Sequence, residues 1–292
     1  MVSSYALQYP PHLLFGWERR FDLDTVLDPI ALRTGGHLRI FAVCARTMER
    51  SGIVAALAAA SRHSIEGVFA GVPHDPPLAV VDEITDSVRS AAADVVLAVG
   101  GGSAIDAAKA AAALAPRDPW QVAPYFNGEL DVDTPGLPFI ALPTTAGTGA
   151  EITKNAVLTD PAKPVKKSLR SPFMVPHAAV VDPELTTSMP RNVTAESGLD
   201  ALTQAVESYL SRRANRASAA LARDATAQCM THLPAAWRDG QGREARTGMA
   251  EASMMSALAF SQTSLGAVHG LAHPVGACLE LPSLDAVGPE DA

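Results

Sequence analysis

The apolar positions of this 292-residue chain change their period partway along it. In the first part, short apolar runs alternate with stretches of helical spacing. Residues 38–44 (LRIFAVC), 67–72, 94–99, 138–142 (PFIAL) and 178–181 (AAVV) read as strands. Their valine-rich runs, without polar alternation, suit strands covered on both faces. Residues 47–60 and 79–93 carry apolar side chains at helical spacing between them. Such alternation predicts a mostly parallel sheet with helices on both sides. After Asp182-Pro-Glu-Leu185 the pattern is helical only, over 194–211, 218–233, 243–260 and 263–273. The expected architecture is an α/β domain over residues 1–184, followed by an all-helical domain over 185–292.

The unit from Asp94 to Lys109 carries the most chemistry. It reads as a buried strand, a glycine turn at Gly100, Gly101 and Gly102, and the start of a helix. Ser103 is a suitable N-cap, and Asp106 stands three residues on, close to a capping-box arrangement. Backbone N–H groups left bare at a helix start bind phosphate, so a dinucleotide pyrophosphate fits this turn. A tight strand-to-helix turn without a ligand would show the same residues. A second strand-to-turn unit follows at residues 143–151 (PTTAGTGAE), where Thr148 and Glu151 again have capping-box spacing.

Composition narrows the function classes. Hydrophobic residues make up 48% of the chain and charged residues 18%, which is enough apolar material for a sizeable core. The net charge of −8 argues against nucleic acid or an anionic membrane surface as partner. The three cysteines, Cys44, Cys229 and Cys278, are widely spaced and form no CxxC pair, so neither a disulfide framework nor a thiolate zinc site is expected. No apolar segment has the unbroken length of a membrane span. The opening residues lack a basic stretch followed by an apolar run, so no signal peptide is expected and the cytoplasm is the expected compartment.

Two polar pairs at helical spacing remain. Asp200 and Gln204 are four residues apart in an amphipathic segment, which suits a solvated helix face as well as a site. His269 and His273 are also four apart, within residues 266–276 (GAVHGLAHPVG), a segment apolar nearly all round. Its imidazoles are therefore expected to be buried, either as a metal-ligand pair or as two hydrogen-bonded core histidines.

Taken together and in order, Phe15-Gly16, GGGSAIDAAK (100–109), PTTAGTGAEITKN (143–155), DPEL (182–185), GLDALTQAVE (198–207) and residues 266–276 resemble the iron-containing (group III) alcohol dehydrogenases. The resemblance implies an NAD(P)-dependent oxidoreductase in which an α/β nucleotide domain and a helical domain enclose the dinucleotide. It implies that Gly101, Gly102 and Ser103 contact the pyrophosphate. Thr144, Thr145 and Thr148 would line the cofactor cleft, Lys166 would reach a ribose hydroxyl, and Asn155 would sit near the nicotinamide.

The family's metal is held by an aspartate, a histidine four residues later and two further histidines. Asp200 and His269 match the first and third of these, Gln204 stands at the second, and Ser283 falls at about the fourth. His273 is an added candidate ligand and a candidate proton relay by the nicotinamide. Such a set of Asp200, Gln204, His269 and His273 suits Fe(II) or Zn(II). Family members continue through several more helices, so the helical domain is expected to be incomplete here, with exposed apolar surface that favours a homo-oligomer such as a dimer. After the strand ending at Cys44, Ala45 and Arg46 replace the acid common in NAD-preferring members, which points toward NADPH. The implied reaction is metal-assisted alcohol oxidation or aldehyde reduction on a small substrate. The alternatives are a metal-free reductase resembling the maleylacetate reductases, or a non-catalytic homologue that binds nucleotide or a partner subunit.

Overall fold

A computed structural model describes residues 4–163 and 165–278. The first part alternates strands and helices: β1 (His12–Phe15), α1 (Asp24–Thr34), β2 (Arg39–Cys44), α2 (Arg46–Arg50), α3 (Ile53–Ala60), β3 (Ser64–Ala70), α4 (Leu78–Ser90), β4 (Val95–Gly100), α5 (Gly102–Leu114), α6 (Val122–Asn127) and β5 (Phe139–Pro143). A hairpin of β6 (Asn155–Asp160) and β7 (Val165–Arg170) precedes β8 (Ala178–Val181). The long helices follow: α7 (Arg191–Leu210), α8 (Arg216–Arg238), α9 (Arg243–Thr263) and α10 (Ala267–Cys278).

Six strands form one sheet in the order β1-β8-β5-β4-β2-β3, with every pair parallel. Four of the apolar runs read from the sequence are its central strands, and the run at 67–72 falls on the edge strand β3. β4 and β5 are buried at every position, because helices cover both faces of the sheet. One core lies between the sheet and α4 and α5, around Val96, Ala98 and Ile105. The other lies between the sheet and α1 and α3, around Leu27, Leu57 and Val99. Gly100 and Pro143 are register partners, so β4 and β5 end side by side and deliver the two conspicuous turns to one edge. Ligands of parallel sheets bind at such an edge.

The helices pack as α7, α8 and α9 in mutual contact. Residues 144–153 pass between sheet and helices, and there two glycines allow close approach. A Cβ on Gly147 would lie 2.6 Å from Ser197 Cβ, and one on Gly149 would lie 2.3 Å from Ala257 Cβ.

Several expectations are corrected. The single helix expected over 47–60 is two helices, because Gly52 takes a left-handed conformation (φ 77°) between them. Ser103 is not an N-cap: the unhindered glycine backbone starts α5 at Gly102, so Ser103 already lies in the first turn. Its hydroxyl instead accepts from the Asp75 backbone N–H (3.3 Å), and Asp106 accepts from the Val157 N–H (2.9 Å). Thr148 and Glu151 cap no helix, since Gly149 (φ 65°) turns the chain between them. The helix expected over 263–273 runs from Ala267 to Cys278, because Ser264 (φ 62°) ends α9. The β6–β7 hairpin had no counterpart in the sequence reading. Lys167 interrupts the apolar alternation of β7, and its ammonium sits 4.6 Å from the centre of the Phe126 ring.

Candidate active site

A cleft of about 670 Å³ opens where the C-terminal ends of the sheet strands face α7 and α10. It brings together Gly101, Gly102, Ser103, Thr145, Thr148, Asn155 and Lys166 from the first part of the chain, and Asp200, Gln204 and His269 from the second. Thr144 is not in its wall. That residue is buried, and its backbone N–H donates to the Gly100 carbonyl (2.9 Å) as β5 leaves the sheet. The backbone of His273 belongs to α10, while its side chain and Ser283 lie outside the described residues.

The glycine turn forms a cradle that side chains would fill. A Cβ on Gly102 would stand 2.7 Å from Thr148 Oγ1, and one on Gly101 would stand 3.2 Å from Thr145 Cγ2. Bare N–H groups at the start of a 13-residue helix therefore face the cleft, as a pyrophosphate requires. Above the turn, Asp75 receives Lys166 Nζ at 2.6 Å. Its carboxyl is held well below the ordinary carboxylate range by hydrogen bonding to His74 and by Lys166, against the effect of burial.

Beneath the cradle lies a buried ionic group. Lys109 Nζ donates to the carbonyl oxygens of Ala150 (2.6 Å), Thr153 (2.9 Å) and Asn155 (2.6 Å), and Asp106 Oδ1 is 3.7 Å away. Burial lowers its pKa to about 8, against the pull of Asp106 and Glu151. Burial likewise raises Asp106 to about 6 and Glu151 to about 7. This ammonium ties the phosphate-turn helix to the segment that supplies Asn155.

At the helical wall, Asp200, Gln204 and Glu207 fall on one face of α7, and α10 lays His269 across them. His269 Nε2 is 3.0 Å from Asp200 Oδ1, and Nδ1 is 2.6 Å from Glu207 Oε2. Gln204 Nε2 donates to Asp200 Oδ2 (2.8 Å), while Gln204 Oε1 is buried with no partner among the described residues. Burial opposes protonation of the imidazole, but the two carboxylates raise its pKa. Burial would raise Glu207, yet hydrogen bonds from the Gly266 and Val268 N–H groups and from His269 hold it low. Glu207 was missed in the sequence reading, although its i, i+7 spacing from Asp200 sets it on the same helix face.

The donor chemistry fits a divalent metal. A carboxylate, an imidazole and an amide line one wall of the cleft, and a second carboxylate orients the imidazole through its other nitrogen. Among the described residues no group of three His, Cys, Asp or Glu side chains could hold a metal ion, and Gln204 stands where a further such donor would be needed. Of the two imidazoles expected to be buried, that of His269 is half-buried and that of His273 lies outside the described side chains, while Val268, Leu271 and Val275 on the same helix are exposed. No described helix is long and apolar enough to cross a membrane.

Sheet, glycine cradle and helical wall together join an α/β module to a helical module across one cleft. The chain belongs to the iron-containing alcohol dehydrogenase family. The family so described matches residues 10–183, and its C-terminal domain matches residues 194–287. The chain is 36% identical over 280 residues to long-chain-alcohol dehydrogenase 1 of Geobacillus thermodenitrificans, covering 94% of this chain and 69% of that protein. It is 36% identical to the NAD-dependent methanol dehydrogenase of Bacillus methanolicus, over 73% of this chain and 56% of the relative. Sulfoacetaldehyde reductase from Bifidobacterium kashiwanohense, solved in complex with NAD+, superposes with a TM-score of 0.87 at 33% identity, covering 94% of this chain and 71% of that one. The chain spans between 52% and 69% of the length of the curated relatives it matches.

Proposed function

We propose that this chain is a metal-assisted, NAD(P)-dependent alcohol dehydrogenase working on a small alcohol or aldehyde. One observation carries the reading: the glycine cradle and the Asp200–Gln204–His269 donor set open into one cleft. Gly101, Gly102 and Ser103 hold the pyrophosphate, Thr145 and Thr148 wall it in, and Lys166, held by Asp75, reaches a ribose hydroxyl. Asn155, fixed through its carbonyl by Lys109, stands at the nicotinamide end. Asp200, Gln204 and His269 hold Fe(II) or Zn(II), which when bound supplies a Lewis acid for the carbonyl or alkoxide oxygen. Glu207 keeps His269 in the tautomer that offers Nε2 to the cleft. His273, one turn further along α10, is assigned the proton relay and, in a tighter variant of the site, a fourth ligand.

Ala45 in the cleft wall leaves room for a 2′-phosphate, and exposed Arg46 supplies charge beside it, so NADPH is accepted alongside NADH. The exposed apolar face of α10 supports a homodimer, and we place the enzyme in the cytoplasm.

The test is metal per chain, by elemental mass spectrometry, together with aldehyde-dependent oxidation of NADH and NADPH. Stoichiometric iron or zinc and turnover in the wild type, both lost in Asp200→Ala, is the expected result. Turnover that survives complete metal removal overturns the metal-assisted reading.

A further inference from the structure

Four basic side chains line the cleft: His74, Lys166, Arg170 and His269. Three of them are engaged. His74 and Lys166 both pair with Asp75, and His269 lies between Asp200 and Glu207. Arg170 makes no hydrogen bond or ion pair with any described residue, and it is exposed in the cleft wall. A guanidinium held in a cleft without a partner is a ready bidentate site for a planar anion.

Its place along β7 separates it from the cofactor phosphates. Ser103, in the phosphate turn, accepts from the Asp75 N–H, and Asp75 holds Lys166, so the Lys166 end of β7 lies over the pyrophosphate. Arg170 is four residues further along the strand, about 13 Å away at the usual rise. There it is the register partner of Asn155, at the nicotinamide end of the proposed site. β7 also packs against α10, the helix that carries His269. Strand alternation turns Lys166, Ser168 and Arg170 to the same side, and all three line the cleft. Of the other acids in the cleft wall, Asp75 is paired with Lys166, Glu196 acts on His74, and Asp200 pairs with His269.

Resting on the dehydrogenase reading above, we propose that Arg170 binds an anionic group on the substrate, so that the preferred substrates are short aldehydes or alcohols bearing a carboxylate or a similar anion at the far end. The reacting carbonyl would face the Asp200–His269 wall while the anion meets Arg170. The remaining wall, with Phe260, Leu265 and Ala272, is apolar and suits a short methylene spacer.

The experiment compares succinic semialdehyde with butanal, which share chain length and differ in the carboxylate. The wild type is expected to favour succinic semialdehyde in kcat/KM. Arg170→Gln is expected to lower the ratio of the two kcat/KM values by about tenfold or more, through KM, with partial rescue in Arg170→Lys. Dissociation constants for NADH and NADPH are measured on the same proteins. A wild-type ratio near one that Arg170→Gln leaves in place overturns the inference while the dehydrogenase reading stands. Weaker NADPH binding in Arg170→Gln with no change in the ratio also overturns it, by assigning Arg170 to the cofactor. No reduction of either aldehyde sinks the dehydrogenase reading and this inference with it.

Discussion

Lys109 Nζ lies 2.6 Å from the main-chain oxygen of Asn155, so the helix that begins at the glycine turn grips a residue of the same cleft wall. The same ammonium holds the carbonyls of Ala150 and Thr153. All three of its protons are used, and the residue is 1% exposed. Lys109→Met fills the space but leaves three carbonyls and Asp106 without their cation. Removing one partner from a buried ionic group costs about 3–5 kcal/mol. The expected outcome is a loss of that order in chemical denaturation, with a raised dissociation constant for NADH in the fraction that folds. An unchanged NADH affinity would show that the grip does not shape the cofactor site.

Glu151 gives the fold a pH dependence with a definite sign. Burial raises its pKa from 4.5 to about 7, so the folded state holds a proton that the unfolded state has lost. The stability it contributes is complete below pH 4.5 and is lost as the pH rises toward 7. Glu151→Gln keeps the shape and removes the titration. Urea unfolding from pH 5 to 7.5 is expected to show a shallower decline in the variant than in the wild type. Parallel declines would mean that the carboxyl is ionised at both ends of the range.

Much of the first half of the molecule was legible because its physics is local. β8 was placed residue for residue, and β4 and β5 within one residue at each end, since runs such as VVLAV admit only a strand covered on both sides. The β6–β7 hairpin was not legible. Lys166 and Arg170 face a cleft, and a cleft wall carries no apolar alternation to read. The capping roles read for Ser103 and Thr148 failed for a related reason. Glycine freedom starts the helix one residue early at Gly102 and turns the chain at Gly149, so the two hydroxyls accept from the Asp75 and Ala150 backbone N–H groups instead. Glu207 was invisible without α10, because its role appears only when His269 is laid against α7.

Gly149 shows how tightly sheet and helices meet. Its φ is 65°, and a Cβ there would stand 2.3 Å from Ala257 Cβ and 3.2 Å from Ala257 Cα. Neither neighbour is the end of a flexible side chain, so α9 itself would have to move. Gly149→Ala therefore combines left-handed strain with overpacking, and a loss of about 2–4 kcal/mol is expected. Thermal unfolding of the purified variant checks this. A loss below about 1 kcal/mol would mean that the contact between residues 144–153 and α9 is looser than the structure shows.

Glu207 is expected to control metal affinity without touching the metal. Its carboxylate receives His269 Nδ1 at 2.6 Å and the Val268 backbone N–H at 2.7 Å, so it fixes both the ring and the start of α10. A carboxylate behind a ligating imidazole raises its basicity, and removing such a partner costs about 10–100-fold in metal affinity. Glu207→Gln can still hydrogen-bond the backbone but carries no charge. Competition with a zinc chelator is expected to show that loss in Glu207→Gln and a smaller one in Glu207→Asp, while far-ultraviolet circular dichroism stays that of the wild type. If Glu207→Gln binds zinc as tightly as the wild type, His269 is not acting as a ligand oriented by Glu207. The pair would then be a structural contact that docks α10 on α7.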